Sequence, residues 1–514
     1  MLPQKLLPLL AVASTLAAQN DFDLDKLSSG QLGQSLVLQV ENAPPTQILL
    51  FVPSLNAGPT PLFLLDGVDT RSMQVGVDLL GVIAFTVTSP VGDAFYSLPA
   101  PVDPSWHGLT VYYQAATLPF AGPTFFGEIS NPVTTQFGLA DTGVAAPTPL
   151  LAPRAFAVAF ADTNNNAAAS DIVISGGGAG SLTSATGTAT TEIYDYRRMR
   201  LLPGPTMSTS RTLHTAVTLN DGRVLLCGGV NTNSVIQSSC EIYNPTTNTF
   251  SPTGSMSSAR MLHAACRLAD GRVMVAGGAS ALDLVNLTVT ALNSVEIYNP
   301  ATGTWSGANP IGGTRIAPAL SLLPNNQVMV SGGVQVGYFF GLPISANSVS
   351  TVQRWNPATG TWTSGPNMPF ETAFHHGNQV TLNDGRILVT GGLDVVDLLS
   401  VQTAGPVNGA AVYDATTNSW TAANMPTARG LHTATLLADG RVAVCGGAQG
   451  TLTTPAPIAN VDVFQPGSNS WVASTPLATP RGGHVAARTP DGTVVLFGGQ
   501  DAVGTTATVE TIRF

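Results

Sequence analysis

From about residue 142 to the end of the chain, one pattern of apolar and polar positions recurs. A short apolar run closes on a pair of glycines at seven places: Gly177-Gly178, Gly228-Gly229, Gly277-Gly278, Gly332-Gly333, Gly391-Gly392, Gly446-Gly447 and Gly498-Gly499. The spacings between successive pairs are 51, 49, 55, 59, 55 and 52 residues. A period of this length is too long for a helical solenoid repeat and indicates the four-stranded blade of a β-propeller.

Each copy has the same internal order of strands and turns. The segment "LHTAVTLNDGRVLLCGG" (residues 213–229) contains two apolar strands around Asp221-Gly222, a dipeptide that favours a tight hairpin because both turn positions need positive φ. A third strand follows, as "EIYNP" at Glu241. After a short turn an aromatic residue opens the fourth strand: Phe250, Trp305, Trp362, Trp420 and Trp471. We expect these rings to pack between blades, with carbohydrate stacking as the alternative.

The glycine pair, the Tyr that precedes a Trp by seven residues (Tyr298 and Trp305) and the period resemble Kelch repeats, of the secreted kind related to galactose oxidase. The resemblance covers residues 142–514 and implies a β-propeller. The predicted fold is therefore all-β: a seven-bladed Kelch-type β-propeller preceded by a small β-sandwich.

The seventh copy ends at Phe514 after its third strand, and a propeller must close without leaving an open sheet edge. Val144 stands ten residues before Arg154, as Trp471 stands ten residues before Arg481. We therefore expect a strand near residues 142–150 to complete the seventh blade, with Val144 beside Ile512.

The first 140 residues lack the repeat. Residues 1–18 have the pattern of an export signal, with Lys5 at the start, an apolar stretch from Leu6 and small residues at Ala17-Ala18. Residues 19–140 contain alternating apolar segments such as "SLVLQVEN" and "LTVYYQAA", which favour antiparallel strands of a β-sandwich. The segment "DPSWHGLTVYYQA" resembles a module of secreted bacterial proteins. The mature protein is expected to be secreted or periplasmic, with no span across a membrane after signal removal.

Paired charges recur inside the copies. Strand one opens with Arg154, Arg211, Arg260, Arg315, Arg429 and Arg481, and strand three carries Glu192, Glu241, Glu296, Gln353, Asp462 and Glu510. The fifth copy lacks both, with Thr372 and Ala411 in those places. Because removing one partner of a buried ion pair costs far more than replacing both, this joint loss indicates structural pairs such as Arg211–Glu241, Arg260–Glu296 and Arg481–Glu510. A substrate-binding arginine cluster is the alternative.

Five histidines stand three residues after the arginine position: His214, His263, His375, His432 and His484. A ring of imidazoles around the axis could hold a metal, or the rings could hydrogen-bond neighbouring backbone and line the funnel. In the copper-radical oxidases that the chain resembles, a Tyr-His pair lies on an inner strand. Here the matching place holds Phe374-His375, and phenylalanine cannot ligate copper, so no metal, cofactor or catalytic residue is predicted.

Composition narrows the function classes. The 20 basic and 30 acidic residues give a formal charge of −10, which argues against nucleic acid as a partner. No phosphate-binding glycine loop, CxxC pair, HExxH or nucleophile elbow is present. Cys227 and Cys240 could face each other across a hairpin, either as a disulfide or as two buried thiols.

Strand alternation places the loops after the glycine pairs on one face, the long-loop face, and these loops differ in every copy. The loop after Gly333 exposes Tyr338, Phe339, Phe340 and Leu342, and the His375-His376 doublet interrupts the repeat. We take these six residues as candidate binding residues, although packing between loops is the alternative for the aromatic ones. The leading hypothesis is a secreted, monomeric binding or scaffold protein that engages an extracellular protein or glycan. The alternative is a secreted oxidase or sugar-processing enzyme that uses the propeller funnel.

Overall fold

The computed structural model describes residues 22–62, 71–75, 79, 83–118, 126–162, 171–180, 186–283, 288–375, 377–396, 404–451 and 454–514. Their contacts divide them into two units. The first takes its described residues from 1–26, 37–98 and 111–134, and the second from 27–36, 99–110 and 135–514. Residues 27–36 and 99–110 thus group with the repeats. The predicted export signal at residues 1–18 lies outside the described residues.

The first unit is built from antiparallel strands, which supports the all-β prediction. Its strands, some of which run on into the second unit, are β1 (Asp23–Lys26), β2 (Ser35–Glu41), β3 (Ile48–Ser54), β4 (Thr60–Pro61), β5 (Ser72–Met73), β6 (Ala84–Val87), β7 (Ala94–Pro99), β8 (Thr110–Leu118) and β9 (Ile129–Gln136). They form a sheet β1-β2-β7, a sheet β6-β3-β8-β9 and the short hairpin β4-β5. Along β2, buried and less buried positions alternate, as the apolar pattern predicted.

The second unit contains seven four-stranded antiparallel sheets among its described residues. Sheets 1 to 3 comprise β11 (Val158–Asp162), β12 (Asp171–Ser175), β15 (Thr191–Asp195) and β16 (Arg200–Pro203); β17 (Thr215–Thr218), β18 (Val224–Cys227), β19 (Cys240–Asn244) and β20 (Thr249–Thr253); and β21 (Ala264–Arg267), β22 (Val273–Ala276), β25 (Val295–Asn299) and β26 (Thr304–Ala308).

Sheets 4 to 6 comprise β27 (Ala319–Leu322), β28 (Val328–Ser331), β31 (Val352–Asn356) and β32 (Thr361–Ser364); β33 (Gln379–Thr381), β34 (Ile387–Thr390), β37 (Ala410–Asp414) and β38 (Ser419–Ala422); and β39 (Thr433–Leu436), β40 (Val442–Cys445), β43 (Val461–Gln465) and β44 (Ser470–Ser474). Sheet 7 comprises β45 (Val485–Arg488), β46 (Val494–Phe497), β47 (Val509–Arg513) and β10 (Thr142–Ala145).

Five further hairpins stand on the long-loop face, each in the loop after a glycine pair. They are β13 (Gly178–Ala179) with β14 (Thr186–Gly187), β23 (Ala279–Asp283) with β24 (Thr288–Ala291), β29 (Val334–Phe339) with β30 (Leu342–Ser348), β35 (Leu393–Val395) with β36 (Ala404–Pro406), and β41 (Ala448–Gly450) with β42 (Pro455–Pro457). The sequence predicted long loops here. The structure shows instead that most of them are a second tier of antiparallel hairpins.

Hydrophobic clusters join each sheet to the next and return from sheet 7 to sheet 1. Val224 of sheet 2 packs with Val173 of sheet 1, and the equivalent contacts continue around the ring. In the last cluster Phe497 of sheet 7 packs with Tyr194 of sheet 1. Apolar side chains on both faces of every sheet are therefore buried, which is the packing of a β-propeller.

The fourth strand of sheet 7 comes from the start of the repeat region. β10 pairs antiparallel with β47, so that Gly143 lies opposite Ile512 and Val144 opposite Thr511. Gly143 leaves room for the carboxylate of Glu510, because a Cβ at that position would lie 2.1 Å from Glu510 Oε1. β10 lies in the segment where the sequence predicted a closing strand, but Ile512 lies opposite Gly143 rather than Val144, one residue from the expected register.

The aromatic residues of the fourth strands lie between sheets. Trp305 packs against Tyr298 and donates its Nε1–H to the carbonyl of Gly254 in the preceding copy, at 2.8 Å. Trp362, Trp420 and Trp471 make the same kind of bond to the carbonyls of Asn309, Pro366 and Ala423. Their indole groups are thus committed to the packing of neighbouring blades rather than to stacking on a sugar.

The glycine pair of sheet 1 is Gly176-Gly177, one residue earlier than the sequence suggested. A Cβ on Gly176 would meet the carbonyl of Arg211 and the ring of His214, as a Cβ on Gly228 would meet Arg260 and His263. The run of three glycines at residues 176–178 hid this register.

Among the described residues, no helix is long and apolar enough to cross a bilayer.

Candidate functional site

In six of the seven sheets, a buried arginine joins strands of the same sheet at the long-loop face. Arg211 Nη2 lies 3.0 Å from Glu241 Oε1, and both side chains are almost fully buried. Equivalent ion pairs join Arg154 to Glu192, Arg260 to Glu296, Arg429 to Asp462 and Arg481 to Glu510. Arg211 also donates to the carbonyls of Gly228 and Ser239. Because these ion pairs and hydrogen bonds recur within single sheets, they favour a structural role for the arginines over a substrate-binding cluster.

Two copies lack this arginine–carboxylate ion pair. Among the described residues Arg315 has no acidic partner: its guanidinium bonds the carbonyls of Gly332 and Thr351, and burial lowers its pKa to about 10. Gln353, expected to face it, bonds the backbone of Gly312 instead. In sheet 5, Thr372 Oγ1 donates to the carbonyl of Gly391 at 2.7 Å, the bond that arginine makes in the other copies.

A ring of left-handed residues surrounds the propeller axis. The residue before each histidine position has positive φ in all seven copies: Phe156, Leu213, Leu262, Ala317, Phe374, Leu431 and Gly483. Successive members are joined by backbone hydrogen bonds, such as Ala317 N–H to the carbonyl of Leu262 at 2.8 Å and Gly483 N–H to that of Leu431 at 2.8 Å. Apolar residues rarely adopt this conformation, so the ring is held by the sheets that flank it.

Each of the five histidines bonds a hydroxyl of the preceding sheet. His214 Nε2 lies 3.3 Å from Ser175, His375 Nε2 3.1 Å from Ser331, and His432 Nε2 3.0 Å from Thr390. These three hydroxyls come directly before a glycine pair. Where a cysteine takes that place, at Cys227 and Cys445, the next histidine bonds the first residue of the inner strand instead: His263 to Thr215 at 2.8 Å and His484 to Thr433 at 3.0 Å.

The two copies without this histidine follow the same rule. Sheet 4 has Pro318 at the position, and the preceding sheet offers Ala276 and Ala264 in place of hydroxyl residues. Sheet 1 has Ala157, and sheet 7 before it offers Phe497 and Val485. The histidine is therefore present only where the preceding sheet offers a hydroxyl group. Its role is to hydrogen-bond one blade to the next.

Burial keeps three of these imidazoles neutral. Desolvation, aided by the charge of Arg211, lowers the pKa of His214 to about 3, and desolvation with Arg481 lowers the pKa of His484 to about 3. Desolvation followed by the charge of Arg429 lowers the pKa of His432 well below its usual value. These three rings therefore act as uncharged hydrogen-bonding groups near neutral pH.

A cavity of about 350 Å³ runs along the innermost strands. Its lining combines small apolar side chains such as Ala159 and Ala216 with Thr215, Thr433 and the edges of His214, His432 and His484. The described residues that line it include no carboxylate.

The residues at this axis do not fit the copper centre that the resemblance to oxidases implies. Phe374 occupies the tyrosine position with an apolar ring, and the imidazole of His375 is fully buried against Ser331. In the described portion of the chain, no three His, Cys, Asp or Glu side chains lie close enough together to hold a metal ion.

The candidate binding residues separate into two groups. Tyr338, Phe339, Phe340 and Leu342 lie together on the β29–β30 hairpin, whereas His375 is completely buried at the axis. The prediction that His375 contacts a partner is therefore wrong, because its side chain has no exposed surface. His376 lies outside the described residues.

The β29–β30 hairpin presents an apolar tip, formed by Phe339, Phe340, Leu342 and Ile344. Phe340 is 92% exposed, and the other three are more than half exposed. The rings of Phe339 and Phe340 meet edge to face with centroids 4.5 Å apart. Phe340 and Gly341 have φ values of 48° and 80°, and Phe339 pairs with Leu342, so the turn has the two positive φ angles of a type I′ hairpin.

Tyr338 fixes the base of this tip. Its hydroxyl donates to the carbonyl of Val289 at 3.1 Å and accepts the N–H of Ala291 at 2.8 Å, both on the neighbouring hairpin strand β24. Below it, Val336 and Ala346 join a buried cluster that lies against the axial ring. The tip is thus a rigid projection on a packed tier rather than a loose loop.

Sequence reasoning did not name Ile344, and it pointed to the apolar loop after Gly392 without singling out the half-exposed Val396. Both would have been found by alternation along paired hairpin strands, but only after β29–β30 and β35–β36 had been recognised as hairpins.

Comparison with known proteins identifies the repeats. A family model for the Kelch motif matches residues 211–257 and 318–369. Kelch-like protein terF of Aspergillus terreus is 30% identical over 195 residues, which cover 35% of this chain and 39% of that protein. Kelch-like protein 28 of Mus musculus is 34% identical over 73 residues, which cover 14% of this chain and 12% of that protein. The chain thus matches less than half the length of these curated relatives.

A solved structure described as a novel fungal alcohol oxidase with catalytic diversity among the AA5 family, in complex with copper, has a similar fold. The TM-score is 0.54 at 17% sequence identity, and the match covers 72% of this chain and 75% of that chain. A likeness at this identity concerns the fold alone. Together these matches support the conclusion that the chain carries Kelch repeats that fold as a β-propeller.

Proposed function

We propose that this chain is an exported, non-catalytic β-propeller that binds another protein through the apolar tip of β29–β30. The observation that carries the proposal is the phenylalanine at position 340. It combines nearly complete exposure with a left-handed backbone that aromatic residues disfavour. Neither property stabilises the folded chain. We therefore infer that Phe340 contacts a partner outside the chain.

The chemistry of the tip favours a protein partner over a glycan. Residues 334–349 contain no charged side chain, and the exposed groups at the tip are aromatic and aliphatic carbons. Glycan sites combine aromatic stacking with polar groups that bond hydroxyls. A partner with an apolar pocket matches this surface better, because rigid aromatic anchors dominate the energy of protein interfaces.

The rest of the unit suits a scaffold. The polar groups of the repeats bond within the propeller. Arginines form ion pairs, histidines hydrogen-bond neighbouring blades, and tryptophans pack between sheets. The residues that stabilise the four-stranded sheets are thus different from those of the variable hairpins on the long-loop face. This is expected where loops on a rigid frame determine binding specificity. Export is proposed from the N-terminal sequence pattern alone.

The proposal is tested by identifying the partner and then measuring the contact. Immobilised full-length protein is used to capture extracellular proteins of the source organism, and an identified partner is purified and titrated by calorimetry. We expect Phe339→Ser and Phe340→Asn each to weaken its affinity by about tenfold or more, as for an interface hot spot.

Val503→Ser provides the matched control. Val503 is 97% exposed on the loop after the last glycine pair, but it is not part of the tip. The control should leave affinity within about twofold. Equal affinities of the wild type and both tip variants would refute the proposed surface.

A further inference from the structure

Cys227 and Cys240 face each other across two neighbouring strands of sheet 2. Cys227 ends β18, Cys240 begins β19, and the two residues are direct partners in the register. The next pair along, Gly228 and Ser239, is hydrogen-bonded from the N–H of Gly228 to the carbonyl of Ser239 at 3.2 Å. Because hydrogen-bonded and non-hydrogen-bonded pairs alternate, the cysteines occupy a non-hydrogen-bonded site, where Cα atoms lie about 4.5 Å apart.

This geometry is compatible with a disulfide. Bridged cysteines have Cα separations of about 4.4–6.8 Å, so these strands need not move apart or together to accept a bond. Both cysteines are free and buried in the structure, and the thiol of Cys240 donates to the carbonyl of Ser238 at 3.6 Å.

Sheet 2 alone has this arrangement. At the position of Cys227 the other sheets carry Ser175, Ala276, Ser331, Thr390, Cys445 and Phe497. Opposite them stand Thr191, Val295, Val352, Ala410, Val461 and Val509. Cys445 therefore has the same place as Cys227 but faces a valine. The repeat does not require a cysteine at position 240, which leaves the pairing itself as the feature to be explained.

We propose that Cys227 and Cys240 are a redox-sensitive pair that forms a cross-strand disulfide when the protein meets a disulfide oxidant such as oxidised glutathione. The bridge closes the base of the loop formed by residues 228–239, which lies on the long-loop face. It also ties together the segments that carry Gly228 and Glu241, both of which bond Arg211.

The chemistry is ordinary thiol–disulfide exchange. The Cys240 thiolate attacks one sulfur of glutathione disulfide and displaces a glutathione thiolate. The Cys227 thiolate then attacks the Cys240 sulfur of the mixed disulfide and displaces the second glutathione. Two electrons pass to the glutathione disulfide, and the two protons released by the cysteines end on the two glutathione thiols. Contact with Cys227 lowers the pKa of Cys240, whereas burial raises the pKa of Cys227, which makes Cys240 the first nucleophile.

Because both thiols are buried, exchange is expected during folding or during opening of the strand ends. The experiment therefore refolds the full-length protein in oxidising and in reducing glutathione buffers. After denaturation, free thiols are alkylated and counted by intact mass, and the linked peptides are identified after digestion. The chain has four cysteines. We expect four alkylated thiols under reducing conditions and two under oxidising conditions, with Cys227 linked to Cys240.

Two variants sharpen the result. Cys240→Val introduces the residue that sheets 3, 4, 6 and 7 carry at this place, and it should abolish the oxidative loss of thiols. Cys445→Ser changes the equivalent of Cys227 that lacks a facing thiol, and it should still lose two thiols. Oxidised wild-type protein should also melt at a higher temperature than reduced protein, a difference that Cys240→Val should lack. Four free thiols in the oxidised wild type, or a bridge to Cys266 or Cys445, would overturn the proposal.

Discussion

The backbone N–H of Gly499 donates to the carbonyl of Arg154 at 2.8 Å and so joins the last glycine pair of the chain to the first arginine position. The same bond links every sheet to the next, for example Gly177 to Arg211 and Gly229 to Arg260. Seven such bonds return to their starting sheet. The ring is therefore closed by two kinds of contact. One is this set of backbone hydrogen bonds near the axis, and the other is the pairing of β10 with β47 in sheet 7.

Replacement of Gly499 by alanine should be strongly destabilising. Gly499 has φ of 99°, and a Cβ there would lie 2.8 Å from the Cβ of His484 and 2.9 Å from the carbonyl oxygen of Gly482. We expect a loss of about 3 kcal/mol or more in the free energy of unfolding, measured by urea denaturation.

Gly492→Ala is the matched control for this change. Its φ is 85°, but no atom lies within 4 Å of the added Cβ. It should cost only about 1 kcal/mol, from the backbone conformation alone. Equal losses in the two variants would contradict the role of close packing at the glycine pairs.

The ion pair of sheet 2 should be replaceable only as a unit. Glu241→Ala leaves the buried guanidinium of Arg211 without its counter-charge, and we expect a loss of about 3–5 kcal/mol. The double variant Arg211→Thr with Glu241→Ala reproduces the residues of sheet 5, where Thr372 bonds Gly391 directly. It should be more stable than Glu241→Ala alone in a double-mutant cycle. A double variant whose losses simply add would show that the pair is not coupled.

Acid should weaken the propeller through its histidines. The folded-state pKa of His484 is about 3, below the value of about 6.5 expected in the unfolded chain, so the unfolded chain binds more protons between these values. Stability is therefore intact above pH 6.5 and falls as pH decreases toward 3, by roughly 2 kcal/mol per such histidine at pH 5.

His484→Gln isolates this contribution. The amide can still bond Thr433 but does not titrate, so the difference in stability between pH 7.5 and pH 5 should shrink by roughly 2 kcal/mol relative to wild type. Asp171, whose pKa is raised to about 7 mainly by burial, contributes with the opposite sign, but it is common to both proteins and cancels. An unchanged pH dependence in the variant would contradict the neutral, buried state of the ring.

At Phe340, stability and partner binding should favour different residues. Asparagine adopts positive φ more readily than phenylalanine and is favoured before glycine in type I′ turns. Phe340→Asn should therefore raise the free energy of unfolding by about 0.5–1 kcal/mol while it weakens partner binding. Thermal denaturation of the variant checks the first effect. A variant that is less stable than wild type would mean that Phe340 serves the fold itself.

Much of the repeat architecture could be predicted because its signals are local. Apolar alternation, the Asp-Gly turns and the glycine pairs indicate strands and hairpins within each copy, and the joint absence of arginine and acid from the fifth copy points to their contact elsewhere. The pairing of Gln353 with Gly312 and the register of Gly176-Gly177 were not predictable in this way. Each depends on which of several similar partners lies nearest after folding.

By itself, the amino-acid sequence determined that the chain forms short antiparallel strands in repeated sets of four, because turn chemistry and side-chain alternation act over a few residues. Only the tertiary structure decided which groups remain available to a partner. His375 and Phe340 stand in equally distinctive sequence contexts, yet one is buried against Ser331 and the other projects from a hairpin. That difference arises from contacts between copies about fifty residues apart, and such contacts form only when neighbouring copies pack together.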